Sequence, residues 1–267
     1  MSKSRARNHP KSDNRRRGQR TATTKPGGPL LAGNWIWGQH PVEAALANPR
    51  RQVKQVLATR NAAERLALVA DGSLQIVEAD ILSRSLPIGA VHQGVAADIV
   101  PLPVLDLEDV IAAGTPHLAI LDQVSDPHNL GAIFRSAAAF GFGALILQTR
   151  NAPDLTGVVA KAAVGAVETV AECRVVNIAR TLDRLNGAGY HTVGLAGEGR
   201  SDIAQAVRGA NRLAIVLGAE GPGLRPAVAK ACAELARIPI AAAMESLNVS
   251  NAAAISFYEA AKGMPGD

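Results

Sequence analysis

Polar side chains are concentrated near the carboxyl end of the chain, directly before a helix rich in alanine. The stretch Ser246-Leu-Asn-Val-Ser-Asn251 holds four small hydrogen-bonding side chains, where one cap residue is enough to begin a helix. Such groups lie beside free N–H groups and the positive end of the helix dipole, so they can also contact a polar ligand. The surplus indicates a binding or reaction site in addition to a cap.

A glycine-rich segment follows the apolar run Leu213–Leu217. It reads Gly218-Ala-Glu-Gly-Pro-Gly223, and its three glycines allow backbone to approach a ligand closely. It lacks the Gly-Lys-Ser/Thr ending of a phosphate-binding P-loop. Two interpretations stay open: a ligand-binding loop, or a tight strand-to-helix turn in which Glu220 caps free N–H groups.

A third polar segment follows the apolar run that ends at Leu121. The stretch Asp126-Pro-His-Asn129-Leu-Gly131 places an Asp-Pro turn before a helix and Asn129 at the start of that helix. Arg135 lies in the second turn among apolar neighbours, which predicts a largely buried helix. A buried guanidinium needs an anion or several acceptors. The pattern is typical both of a functional arginine and of a structural ion pair.

These three segments belong to a part of the chain in which short apolar runs alternate with helical segments. The alternation predicts a parallel sheet covered on both faces, the α/β class. Ligands of such sheets bind outside the carboxyl ends of the strands, where the three segments fall. The predicted strands are 118–122, 144–148, 172–176, 191–196, 213–218 and Ile238–Ile240, and the predicted helices are 129–140, 157–166, 178–187 and 202–207.

A smaller α/β unit precedes this region. Its predicted helices are 41–48 and 62–70, and its predicted strands are 52–59, 73–79 and 94–101. Pro101-Leu-Pro103 and the acidic run Asp106–Asp109 indicate a linker. The predicted organisation is a basic arm over 1–33, a small unit over 34–103, a linker over 104–116 and a large unit over 117–267.

Positive charge is concentrated at the amino end. Residues 1–33 hold nine Lys and Arg against one Asp, whereas the other residues hold 19 basic and 22 acidic side chains. The arm has few large apolar groups, so we expect it to be disordered when free and to bind nucleic-acid phosphates; a solubility tail is the alternative. Aromatic residues make up only 3% of the chain, which argues against a broad base-stacking surface.

Several other classes are disfavoured. No run of 18 apolar residues predicts a membrane span, and the charged amino end does not look like a secretory signal. Cys173 and Cys232 show no metal-ligand spacing. We therefore expect reduced thiols, no metal site and a cytoplasmic location.

Together, the three polar segments resemble the three motifs of the SpoU family of RNA ribose 2′-O-methyltransferases, part of the SPOUT class. The motifs are carried by Asp126–Gly131 with Arg135, by Gly218–Leu224, and by Ile238–Ile240 followed by Ser246–Ala252. Gly38-Gln-His-Pro-Val-Glu43 and His92-Gln-Gly94 resemble the L30e-like substrate-binding domain of one subgroup, which methylates a guanosine ribose in 23S rRNA. The resemblance covers everything except the basic arm.

The resemblance implies an N-terminal L30e-like α/β domain and a C-terminal SPOUT α/β domain with a parallel sheet and a deep trefoil knot. It implies S-adenosylmethionine as cofactor, RNA (23S rRNA above all) as partner, and a homodimer formed through the C-terminal domain. By motif position, cofactor contacts fall on Gly218, Ile238, Leu247, Ala196, Gly197 and Ser246. Catalytic positions fall on Arg135, Asn129, Glu220 and Asn248.

The resemblance places Arg135 at the ribose 2′-hydroxyl. It could act there as a general base or, since a guanidinium normally stays protonated, as a clamp for the adjacent phosphate and the developing alkoxide. Two alternatives to 23S rRNA methylation stay open: methylation of a tRNA guanosine, and a non-catalytic RNA-binding or ribosome-assembly protein on the same fold. A dinucleotide-dependent oxidoreductase has only the α/β pattern and the glycines in its favour.

Overall fold

The computed structural model describes residues 32–68, 72–150, 152–241 and 243–262. All but the last two residues of the predicted basic arm therefore lie outside the described residues. Within these ranges the chain forms one sheet of four strands and one of seven. Among the helices of the same ranges, none combines the length and the hydropathy needed to span a bilayer.

The smaller sheet has the strand order β1-β4-β2-β3. β4 runs antiparallel to both neighbours, whereas β2 and β3 are parallel. Its elements are β1 (Trp35–Trp37), α1 (Gln39–Ala47), β2 (Val53–Ala58), α2 (Arg60–Arg65), β3 (Leu74–Ile76), α3 (Ala79–Ser85) and β4 (Val95–Ile99). The strand predicted over 73–79 is shorter, and α3 follows it. Asp80 in the first turn of α3 and Arg84 in the last complement the helix dipole.

The larger sheet is parallel throughout and has the order β7-β6-β5-β10-β8-β11-β9. Its strands are β5 (His117–Asp122), β6 (Ala144–Gln148), β7 (Ala171–Val175), β8 (His191–Leu195), β9 (Ser201–Asp202), β10 (Leu213–Gly218) and β11 (Glu234–Arg237). The helices are α4 (Leu107–Ala112), α5 (Pro127–Ala139), α6 (Val158–Ala163), α7 (Ile178–Gly187), α8 (Ile203–Ala206), α9 (Pro226–Ala231) and α10 (Val249–Ala261), with a 3-10 turn at Ala166–Glu168.

Alternate residues of the central strands pack against opposite helical layers. In β5, Leu118 and Ile120 belong to a hydrophobic cluster with α7, while Ala119 and Leu121 belong to the cluster that contains α5 and α10. Strands buried on both faces must be apolar at nearly every position, and for this reason the sequence shows them as short apolar runs. The predicted α/β class and parallel sheet are confirmed; the trefoil knot stays a prediction.

Two sequence-based assignments near the site are wrong in detail. Ile238–Ile240 is not a strand: β11 ends at Arg237, since Pro239 has no N–H for a ladder and Ile240 is exposed. The helix predicted over 157–166 ends at Ala163, because Val164 and Gly165 adopt left-handed backbone conformations.

The two sheets are joined by a hydrophobic core and a buried ion pair. Arg51 and Glu168 are only 3% and 4% exposed, and Arg51 Nη2 lies 2.8 Å from Glu168 Oε1. Arg51 Nη1 also donates to the Val100 carbonyl at 2.8 Å, and Asn48 Nδ2 donates to Glu168 Oε2 at 2.8 Å. These added bonds offset the desolvation of the two charges. The smaller unit is therefore held in a defined position on the larger one.

The segment assigned to a linker is structured. Leu105 forms a parallel bridge with Cys173 and donates its N–H to the Glu172 carbonyl at 2.8 Å. The acidic run that follows forms the beginning of α4, where Glu108 and Asp109 lie at the favourable end of the helix dipole. The connection between the two units thus packs on the edge strand β7.

Candidate active site

A cavity of about 380 Å³ lies at the carboxyl ends of β8, β10 and β11. These three strands are not consecutive along the chain, but they are brought together within the sheet by the order β10-β8-β11. The N-terminus of α10 contributes a further wall. All six predicted cofactor contacts line the cavity: Ala196, Gly197, Gly218, Ile238, Ser246 and Leu247.

The size and charge of the cavity fit the expected cofactor. Small-molecule sites commonly measure about 300–1,000 Å³. Three carboxylates, Glu198, Glu220 and Glu245, line the cavity, against one guanidinium, that of Arg237. This excess of negative charge suits S-adenosylmethionine, in which a sulfonium and an ammonium outweigh one carboxylate.

The glycines of the cavity wall have two different roles. A Cβ on Gly218 would overlap the backbone of Gly223, so Gly218 is required by the turn of its own loop. That turn is closed by a 3.0 Å bond from Gly223 N to the Ala219 carbonyl. A Cβ on Gly197, by contrast, would meet no protein atom within 4 Å. Of these two, Gly197 is the glycine that leaves space for a ligand.

Asn248 is the centre of the polar cluster beside the cavity. Its Oδ1 accepts the Ser250 N–H at 2.9 Å and the Ser250 hydroxyl at 2.6 Å, so the residue caps α10. Because Oδ1 faces a backbone donor, Nδ2 must face the other way. Nδ2 donates to Asn129 Oδ1 at 3.0 Å and to Glu220 Oε1 at 2.8 Å. One side chain thus connects all three polar segments.

The start of α5 leaves Asn129 free for this network. The sequence suggested that Asn129 begins the helix, but Asp126 is the cap: its carboxylate accepts the N–H groups of His128 at 3.3 Å and Asn129 at 3.2 Å. Pro127 occupies the first helical position, where its missing N–H has no consequence. The amide side chain of Asn129 is therefore available to Asn248.

Arg135 differs from the expectation of a buried guanidinium. Its neighbours Leu130, Ile133, Phe134 and Ala137 are buried, but Arg135 itself lies on the exposed side of α5. Within the described ranges its side chain has no hydrogen-bond or ion-pair partner, and it does not line the cavity. The structure brings the other nine predicted site residues together, and Arg135 is the exception.

An ion pair at the end of β5, between a buried acid and a partly exposed arginine, was not anticipated from the sequence. Asp122, the last residue of β5, is fully buried and accepts Arg225 Nε at 2.8 Å and Arg225 N at 3.0 Å. The pair fastens the end of the Gly218–Leu224 loop to the neighbouring strand. An acid directly after the apolar run 118–121 was the available signal. Burial, together with the charge of Asp122, raises the pKa of Cys232 to about 12, so this thiol stays protonated.

Family models match both units of the chain. The SpoU rRNA Methylase family model matches residues 116–258, and the model for RNA 2′-O ribose methyltransferase substrate binding matches residues 35–105. The chain is 39% identical over 243 residues to the 23S rRNA (guanosine-2′-O-)-methyltransferase RlmB of Vibrio vulnificus, covering 87% of this chain and 98% of the relative. It is 38% identical over 238 residues to RlmB of Escherichia coli K12, covering 85% and 97%.

Solved structures agree with these matches. The SpoU methyltransferase AviRb from Streptomyces viridochromogenes, in complex with AdoMet, is 26% identical with a TM-score of 0.71 over 86% of this chain and 90% of that chain. An AdoMet-bound rRNA methyltransferase from Sinorhizobium meliloti has a TM-score of 0.73 over 87% and 88%, and at 24% identity it supports the fold. The resemblance seen in the sequence is confirmed, and the chain belongs to the SpoU rRNA methylase family.

Proposed function

We propose that this protein transfers the methyl group of S-adenosylmethionine to the ribose 2′-hydroxyl of a guanosine in 23S rRNA. The observation that carries the proposal is the connection between cavity and polar network: Glu220 lines the cavity and bonds to Asn248, which bonds to Asn129. A donor site and a set of oriented polar groups are therefore adjacent. The similar RlmB proteins are named for this reaction.

Different cavity residues would contact different parts of the cofactor. When bound, S-adenosylmethionine supplies a methyl group already activated on a sulfonium. Ala196, Gly218, Ile238 and Leu247 offer backbone and aliphatic contacts for the adenosine part, and Gly197 leaves room for it. Ser246 and the lining carboxylates offer polar contacts to the charged end of the cofactor.

The acceptor hydroxyl is a poor nucleophile until it is deprotonated or polarised. Asn248 and Glu220, fixed by their mutual bond, position the ribose at the cavity. Arg135 acts on the RNA, where its guanidinium clamps the neighbouring phosphate and stabilises the charge that develops on the 2′-oxygen. An exposed arginine that has no carboxylate partner in the described part of the chain is free to make these contacts.

A homodimer formed through the C-terminal domain is part of the proposal. Ile255 and Tyr258 on α10 are exposed, and Phe140 packs edge-on against the Tyr258 ring at 5.8 Å. These side chains give α10 an apolar outer face against which a second copy can pack. A partner on this face would bring further groups near α5 and Arg135. A cytoplasmic location agrees with the proposed action on ribosomal RNA.

The test is methylation of unmodified RNA by the full chain. Labelled S-adenosylmethionine is incubated with transcripts of 23S rRNA and of tRNA, and ribose methylation is mapped by nucleotide. Label at one guanosine of 23S rRNA supports the proposal, with Asn248→Ala as the matched impaired variant. Label in tRNA alone would identify the other substrate class. RNA binding without transfer to either RNA would favour a non-catalytic role.

A further inference from the structure

Two motifs of the small unit, Gly38-Gln-His-Pro and His92-Gln-Gly, take no part in the cavity. They meet instead at the junction with the large unit. Gln93 Oε1 accepts the Gln39 N–H at 3.1 Å and Lys161 Nζ at 2.7 Å. Lys161 belongs to α6, in the large unit, so one glutamine connects both motifs and both units.

The backbone of both motifs is arranged around the Lys161 ammonium. Gln93 has a φ of +53°, which is uncommon for a residue other than glycine. A Cβ on Gly38 would overlap Lys161 Nζ and come within 3.0 Å of Gln93 Oε1. Unusual backbone of this kind persists where the surrounding structure requires it, and such positions cluster at ligand clamps.

Lys161 and Arg65 both bond to Gln93, and neither has an acidic partner among the described residues. Arg65 Nη2 donates to the Gln93 carbonyl at 3.0 Å, so two positive side chains bind the same residue. Throughout the described ranges, neither Lys161 nor Arg65 forms an ion pair with a carboxylate. Glu43, an acid of the same motif, is engaged by Gln39 Nε2 at 3.2 Å.

His92 is neutral, so it neither compensates the positive charge of Lys161 nor adds a further positive charge. Its Nδ1 accepts the Gly94 N–H at 3.0 Å, so the ring is neutral and its Nε2 donates to Ser83 Oγ at 3.0 Å. Burial, and then the charge of Lys161, lower the pKa of His92. Burial also lowers the pKa of Lys161, whose ammonium is incompletely solvated. A cation whose only acceptor among the described residues is a neutral amide has donors free for an anionic ligand.

We propose that Lys161 and Arg65 form a two-unit clamp for one backbone phosphate of the substrate RNA, with Gln93 holding both cations in place. The proposal rests on the proposed function and specifies how the RNA is held. An ammonium has three donors, and Gln93 uses one of them. Phosphate contacts of this kind position RNA without reading its sequence.

The clamp would fix the RNA relative to the predicted catalytic residues. α6, which carries Lys161, lies in backbone contact with α5: a Cβ on Gly131 would come within 2.5 Å of Ala162 Cβ and 2.6 Å of the Val159 carbonyl oxygen. α5 carries Asn129 and Arg135. A phosphate bound at the junction therefore sets the distance between the RNA backbone and the start of α5.

The test compares full-length Lys161→Met and Arg65→Met with Lys54→Met. Lys54 is a matched control, since it lies on the small unit and its Nζ is 3.8 Å from a carboxylate oxygen of Asp98. Affinity for a 23S rRNA fragment is measured from low to high salt. We expect each clamp variant to bind several-fold more weakly and to reduce the salt slope by about 1, while Lys54→Met stays near wild type. Wild-type affinity and slope in both clamp variants would overturn the proposal.

A further variant separates a clamp from a purely structural joint. Gln93→Ala removes the side-chain acceptor of Lys161 but keeps the backbone carbonyl that Arg65 binds and both positive charges. The clamp therefore predicts a nearly wild-type salt slope for Gln93→Ala and a reduced one for Lys161→Met. Equal loss of thermal stability in the two variants, with unchanged slopes, would overturn the proposal. S-adenosylmethionine affinity and methylation by the wild type are measured in parallel. If the wild type is inactive, the proposed function fails. If the wild type methylates RNA and both clamp variants bind RNA like wild type, only the clamp fails.

Discussion

The junction between the two units and the predicted active site use arginine in opposite ways. Arg51 is buried, and its guanidinium binds the Glu168 carboxylate and the Val100 carbonyl. Arg135 is exposed, and in the described part of the chain nothing accepts a bond from its guanidinium. Since a buried charge without partners is costly, the first arrangement stabilises a structure. The second leaves a charge available for a ligand. The partners of an arginine, more than its neighbours in sequence, indicate its role.

Arg51→Ala gives the largest expected effect on stability. It leaves the Glu168 carboxylate buried without its main partner, and breaking a buried pair in this way costs about 3–5 kcal/mol. The free energy of unfolding, measured by chemical denaturation, should fall by this amount. Arg184→Ala is the control, because its pair with Glu108 is exposed and is expected to contribute little to stability. Equal effects of the two variants would contradict the structural role of Arg51.

Arg135→Ala should lower the methylation rate and leave stability unchanged, the opposite of Arg51→Ala. Removing a group that stabilises developing charge typically lowers the rate about 10²–10³-fold. The free energy of unfolding should stay near wild type, because the side chain is exposed. Single-turnover methylation under saturating RNA measures the chemical step, and Arg208→Ala, another exposed arginine, serves as control. A near-wild-type rate in Arg135→Ala would remove Arg135 from the mechanism.

The sequence predicted the loops of the site better than it predicted the side chains that support those loops. Gly218, Leu247 and Asn248 lie in short motifs at strand or helix ends, and the resemblance of these motifs to the SpoU family implied their roles. The Asp122–Arg225 pair joins residues 103 positions apart, so only the folded sheet brings it together. Arg135 shows the same limit: apolar neighbours predict that a helix is buried, but not which of its sides stays exposed.

Gly197 and Gly218, the two glycines discussed above, allow ligand binding and structural stability to be compared within the site. Gly197→Val should fold normally, since a Cβ at this position meets no protein atom within 4 Å, yet it should fill cavity space and weaken S-adenosylmethionine binding by about 1–3 kcal/mol. Gly218→Ala should lower the thermal midpoint, since its Cβ overlaps the Gly223 backbone. Calorimetric titration and thermal unfolding separate these outcomes. A destabilised Gly197→Val with intact cofactor affinity would reverse the assigned roles.

His117, at the other end of β5 from the site, is expected to have the smallest effect, a change in the pH dependence of stability. Unlike the two arginines, it is a buried polar side chain whose ring lacks one partner. It is buried, and among the described residues its Nδ1 has no hydrogen-bond partner. Burial lowers the pKa of His117 from its ordinary value of 6.5, so the folded protein binds the proton less readily than the unfolded chain. Stability should therefore decrease as pH falls below about 6.5, with the His92 ring adding to the same trend. His117→Phe removes one of these titrations, and its free energy of unfolding should vary less between pH 8 and pH 5 than that of wild type. Identical pH profiles would show that this buried polar group does not link stability to ionisation.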